Sequence, residues 1–222
     1  MISQAHDEAM RTLSERLRES GRFHMGVGKV HETLRTLASE LTEAGIPYAV
    51  IGGMALNAHG YRRQTTNVDV LVRPKGLALF LGRLLDQRYL ATVRSAPNTF
   101  MNSSTGVEVK LLITGTFPGD GKPKPVSFPD PVAAAVEIDG VQYVGLPTLI
   151  ELKLAAGMTQ PGRLRHLADV QELIRVLDLG ETFAERLNPY VRPSFLTLLE
   201  GVKAGDALEE HEGMVSCSER TS

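Results

Sequence analysis

Apolar residues fall into two periods along this chain, and the change between them divides it. Over residues 30–44, Leu34, Leu37, Leu41 and Ala44 recur every three or four positions, which is the spacing of one helical face. Gly45 and Pro47 close that helix. Residues 48–51 form a short apolar strand, broken by the pair Gly52-Gly53, and a small-residue helix at 54–59 ends at Gly60. Residues 67–72 alternate, which turns Val68, Val70 and Val72 toward a core and leaves Asn67 and Asp69 together on the other face. Pro74 opens a further helix, whose spacing assigns Leu77, Leu81, Leu84 and Leu85 to its buried side. Strands are predicted at 89–93, 99–102 and 107–114. In the last, Val107, Val109 and Leu111 face one way and Glu108, Lys110 and Leu112 the other. Residues 117–131 are a proline- and glycine-rich loop of a length that compact domains keep for function or leave disordered. Asp139-Gly140 between 134–138 and 141–144 is a two-residue hairpin signal.

From Pro147 the period changes to 3.6. Helices are expected at 149–156 and 164–177, separated by residues 157–162, with shorter helices at 183–187 and 194–204 around Pro189 and Pro193. At the other end, Ala9, Leu13 and Leu17 mark a polar amphipathic helix over 3–20. The expected organisation is a helical arm (1–28), an α/β (α+β) core (29–145), a C-terminal helical extension (146–205) and a disordered acidic tail (206–222). The core is a small mixed sheet flanked by helices, and the extension closes a cleft beside it.

Bulk properties narrow the setting. The chain has 222 residues, 42% of them hydrophobic and 23% charged, enough for one domain with appendages or two small ones, and for a substantial core. A net charge of -2 gives no global argument for nucleic-acid binding. One cysteine, Cys217, excludes an internal disulfide framework and suits a reducing cytoplasm. No apolar run has the span of a bilayer, and the N-terminus lacks an apolar signal region, so the expected location is cytoplasmic, away from membranes. The six histidines form no metal set: His59 is expected to cap its helix, and Cys217 has no base beside it.

The chemistry gathers around residues 48–72. A Gly-Gly turn, a short helix and then Arg63-x-Thr65-x-Asn67-x-Asp69 resemble the nucleotidyltransferase-fold superfamily, in particular its minimal AbiEii-like and MenT-like toxin branch. That branch reads Gly-Gly/Ser, then Arg-x-Thr-x-Asp-x-Asp, then a third Asp on a later strand. A Leu-Ile-x-x-Lys-x-x-Ala helix and an Ala-Asp pair follow it. Here Leu149 to Ala156 supplies the helix with Lys153, and Ala168-Asp169 supplies the pair. The resemblance covers residues 30–180 and implies a nucleotidyltransferase-like fold and transfer of a nucleotide from a nucleoside triphosphate. It assigns Gly52 and Gly53 to cradling phosphate, Arg63, Thr65, Lys153 and Asp169 to nucleotide binding, and Asp69 to holding Mg2+.

Two positions depart from the pattern. Asn67 stands at the first carboxylate, and Lys110 at the third. Glu108 shares the face of Lys110 but sits roughly 7 Å along the strand. Magnesium asks for hard oxygen ligands and one or two carboxylates, and an amide carries no charge. The sequence therefore predicts that Lys110 pairs with Asp69 in the cation's place. At an effective dielectric near 20, such charges about 4 Å apart attract by about 4 kcal/mol. Arg62 and Arg63 suit a triphosphate, an acidic partner or a solvated turn, and Arg163, Arg165 and His166 add a basic edge that suits a triphosphate, an RNA end or solvent. Three functions stay open: a nucleoside triphosphate-binding protein with an altered, degenerate metal site, an active transferase of toxin–antitoxin type acting on RNA or protein, and a non-catalytic module for a cognate protein partner.

Overall fold

The computed structural model describes residues 24–92 and 98–218. The helix expected at 3–20 lies outside them. Helix α1 (His24–Glu43) leads into β1 (Tyr48–Ile51), and α2 (Gly52–Ala58) returns to β2 (Asn67–Val72). Helix α3 (Pro74–Arg83) precedes β3 (Tyr89–Ala91), β4 (Thr99–Asn102) and β5 (Glu108–Ile113). A single turn, α4 (Pro131–Ala134), opens the hairpin of β6 (Ala135–Ile138) and β7 (Val141–Val144). Asp139 and Gly140 both take positive φ, 50° and 76°, as the two central residues of a type I′ turn must.

The strands form one seven-stranded mixed sheet in the order β3-β4-β5-β2-β1-β7-β6. β1 and β2 run antiparallel, whereas β5 lies parallel to β2 and β7 parallel to β1. This places the Asn67/Asp69 strand at the centre. Its alternation is realised as expected: Val68, Val70 and Val72 are fully buried while Asn67 and Asp69 are half-buried on the opposite face. β5 alternates likewise, with Val109 and Leu111 buried. Each such side chain contributes about 1.5–3 kcal/mol by leaving water.

The extension comprises α5 (Leu146–Thr159), a 3₁₀ turn (Pro161–Arg163), α6 (Leu164–Val176), a second 3₁₀ segment (Glu181–Arg186) and α7 (Arg192–Ser218). α5 packs against α2 and α6, and α6 against α7. No helix among the described residues is long and apolar enough to cross a membrane.

Two expectations are corrected. Helix α3 buries Gly76 and Phe80 most deeply, and of the expected leucine face Leu77, Leu84 and Leu85 pack partly buried against the core while Leu81 is 41% exposed. Phe80 takes the inward position because it stacks with Tyr89 and Phe100, at centroid distances of 5.1 and 4.9 Å. That aromatic cluster fixes the helix's rotation. Helix α7 runs to Ser218, through the tail expected to be disordered from 206. Ala207-Leu-Glu-Glu210 is a run of good helix formers, with no proline after Pro193 to stop it.

Candidate functional site: the cleft between β2, β5 and α5

The junction of β1 and α2 is tight because of its own neighbours. Antiparallel pairing sets Ile51 against Asp69, so the next residue, Gly52, lies under the Asp69 side chain. Gly52 has φ of 70°, and a Cβ there would collide with Asp69 Oδ2. A Cβ on Gly53 would stand 2.7 Å from Thr65 Oγ1. The glycines expected to admit a phosphate therefore first admit Asp69 and Thr65 against the backbone.

Asp69 is held from both sides. Asn67 Nδ2 donates to its Oδ1 at 2.7 Å, and Thr65 Oγ1 lies 3.5 Å from Asn67 Oδ1. Burial raises the Asp69 pKa, opposed chiefly by the charges of Lys110 and Lys153. The parallel ladder sets Lys110 beside Asp69 and Glu108 beside Asn67. The ion pair expected between Lys110 and Asp69 is nevertheless absent: no described residue makes a hydrogen bond or ion pair with the Lys110 ammonium. Lys110 lines the cleft, where its charge acts on Asp69 without a close ion pair. Glu108 does not line it.

A second charged group lies deeper. Asp169 Oδ2 accepts from Lys153 Nζ at 2.7 Å and from Arg63 Nη1 at 2.5 Å. Lys153 is 5% and Asp169 3% exposed, which makes this a buried cluster joining α5, α6 and the α2–β2 connection. Asn57 Oδ1 anchors that connection by accepting the Arg63 backbone N–H at 2.7 Å. Burial lowers the Lys153 pKa, and the Asp169 carboxylate opposes the shift. Arg63, expected on a triphosphate, is thus tied to protein, with its Nε buried and unpartnered.

The two groups meet in a cavity of about 110 Å³ lined by Gly52, Asp69, Lys110, Lys153, Arg163 and His166. Its outer wall is the loop expected from composition, through Pro118, Gly119 and Phe128. At Gly119 a Cβ would collide with Thr159 Oγ1 and lie 3.1 Å from Ala156 Cα, so the loop presses onto α5. Lys124 Nζ staples it by donating to the Pro118 carbonyl at 2.7 Å and to Asp120 at 2.6 Å. Sequence reasoning missed these wall residues; the Gly- and Pro-dense loop was their only local signal. Of these basic residues, Arg163 and His166 reach the cavity while Arg62 and Arg165 are exposed. Burial, with Lys153 and Arg163 beside it, pushes the His166 pKa down to about 4. His59 stands apart at the C-cap of α2, its Nε2 2.7 Å from the Val144 carbonyl.

No family model and no curated protein matches this sequence. Solved structures do. An antigenic nucleotidyltransferase-like protein from Paracoccidioides brasiliensis superposes over 85% of this chain and 91% of its own, with a TM-score of 0.51 and 15% identity. The fold is nucleotidyltransferase-like. The antibiotic-resistance factor ANT(2'')-Ia also matches, at 16% identity over 85% of this chain and 98% of its own, with a TM-score of 0.48. So does JHP933 from Helicobacter pylori, at 14% identity over 86% and 96%, with a TM-score of 0.44.

At the central strands, Asp69 is the one carboxylate that lines the cleft. Asn67 directs its amide N–H, not its oxygen, at Asp69, and Lys110 occupies the neighbouring register position. Among the described residues no three His, Cys, Asp or Glu side chains are grouped to hold a cation.

Proposed function

We propose that the cleft binds a nucleoside triphosphate and transfers its nucleotidyl group poorly or not at all. The single observation behind this reading is the hydrogen bond from Asn67 Nδ2 onto Asp69 Oδ1. The bond turns an uncharged amide donor toward Asp69 where a second anionic oxygen would help to hold Mg2+, which binds through hard oxygen ligands and one or two carboxylates. Phosphate affinity is supported separately by Lys110, Lys153 and Arg163 lining one cavity with Asp69 as its one lining carboxylate. The cavity lies below the roughly 300–1,000 Å³ of sites that enclose a drug-sized ligand, so an entering nucleotide displaces the 117–128 loop.

The test is thermal unfolding with each nucleoside triphosphate, with and without Mg2+ or Mn2+. A ligand at 100 times its dissociation constant adds about 2.7 kcal/mol. Stabilisation without detectable transfer fits the proposal; turnover abolished by Asp69→Ala overturns it.

The alternative is an active enzyme of the AbiEii-like and MenT-like kind, modifying RNA or a protein. It is favoured by Gly52, Asp69 and Lys153 converging on one cavity from three elements. The same turnover measurement decides between the two. No shift with any nucleotide would leave the protein-partner module.

A further inference from the structure

We infer that this cleft takes a polyphosphate anion without any divalent metal, with Lys110 and Arg163 supplying the neutralising charge. The inference rests on the nucleotide-binding reading and specifies how the phosphates are held.

Charge and pairing carry the argument. Three cationic side chains line the cavity, Lys110, Lys153 and Arg163, against one lining carboxylate, Asp69. Lys153 is already engaged by Asp169. Lys110 and Arg163 make no ion pair or side-chain hydrogen bond with any described residue, although both are half-buried at the cavity wall. Half-buried cations without partners lose part of their hydration, and an anion restores that loss through charge-assisted hydrogen bonds.

His166 adds a second, independent pointer. Its Nδ1 is buried, lines the same site and lacks a protein partner. A neutral imidazole carrying its proton on Nδ1 can donate to a phosphate oxygen without adding charge. The anion must be multiply charged to answer both free cations, and compact, given a cavity of about 110 Å³. A di- or triphosphate group, free or on a nucleoside, meets both conditions; a carboxylate meets only the second. Because the cations belong to the protein, Mg2+ bound to the ligand would reduce affinity by cancelling the charge they recognise. A metal-dependent site behaves in the opposite way.

The experiment is calorimetric titration of the full chain with inorganic triphosphate and with ATP, GTP, CTP and UTP, each in EDTA and in excess Mg2+. Binding in EDTA that weakens with Mg2+ is expected. Lys110→Met and Arg163→Met should each cost about tenfold or more in affinity, the worth of a charged hydrogen bond. Circular dichroism of both variants should remain unchanged, since neither side chain is bonded within the protein. The double variant Asn67→Asp, Lys110→Asp should reverse the metal effect, so that Mg2+ strengthens binding. Nucleotide binding that requires Mg2+ overturns the inference and leaves the nucleotide reading intact. Inorganic triphosphate binding in EDTA with no nucleotide binding supports the inference and overturns that reading. No binding of any probe overturns both.

Discussion

Two aspartates in this molecule, Asp69 and Asp169, face the same electrostatic problem and meet it differently. Asp169 is 3% exposed and accepts from two cations, Lys153 and Arg63. Asp69, with Lys110 in register beside it and Lys153 across the cavity, accepts only an amide N–H from Asn67. Taking a carboxylate out of water costs several kcal/mol, which a close and well-bonded cation offsets and an amide does only in part. Hence one aspartate serves as the charged hinge of three elements. The other is a burdened group in a site that leaves its nearest lysine available to a ligand.

This contrast can be broken most forcefully at Asp169. Asp169→Asn leaves Lys153 and Arg63 facing each other without a counter-charge, and the expected loss is about 3–5 kcal/mol in urea unfolding. A loss below about 1 kcal/mol would mean that the cluster is solvated and that the two aspartates do not differ. Next in size is Gly52→Ala. It places a side chain at φ of 70° and drives it into Asp69 Oδ2, for an expected cost of about 1–3 kcal/mol in the same assay. Adding Asp69→Ala should return part of that cost, because it removes the colliding carboxylate; strictly additive losses would sever the proposed contact.

A smaller effect is confined to acid. The His166 pKa of about 4 lies below its ordinary 6.5, so the unfolded chain takes up this proton more readily than the native one. Its contribution to stability is whole above pH 6.5 and lost as pH falls toward 4. His166→Asn should flatten the melting temperature against pH across that window and leave it unchanged near pH 8. The smallest effect has the opposite sign. With its pKa raised, native Asp69 holds its proton more tightly than the unfolded chain, and the cost of ionising it appears as pH rises above 3.8. Asp69→Asn should therefore stabilise the protein at neutral pH and do nothing in strong acid, as paired thermal melts would show. Destabilisation at pH 7 would mean that the charges of Lys110 and Lys153 outweigh the burial of Asp69.

Much of the frame was legible beforehand. The 67–72 and 141–144 strands, the Asp139-Gly140 hairpin and the Lys153 and Asp169 helices follow from local periodicity and turn chemistry, which act within a few residues. The inward place of Phe80 on α3 did not, because its contacts with Tyr89 and Phe100 are non-local, and they leave Leu81 of the leucine stripe exposed. Nor did the partner of Arg63, which lies 106 residues away. Lys110 lies on its expected face, yet its expected ion pair with Asp69 is absent, since pairing depends on side-chain geometry and on what Asn67 already does.

By itself, the sequence determined which residues share a face within a strand: alternation sets Asn67 with Asp69 on one face of β2 and Glu108 with Lys110 on one face of β5. Only the tertiary structure decided which of those charges are answered. Register set Lys110 beside Asp69, burial gave Lys153 and Arg63 to Asp169, and the 117–128 loop closed the cavity over the rest. Periodicity is a property of the backbone's own repeat. Charge compensation depends on distances of a few ångströms between residues far apart in the chain, and on the water that packing removes from between them.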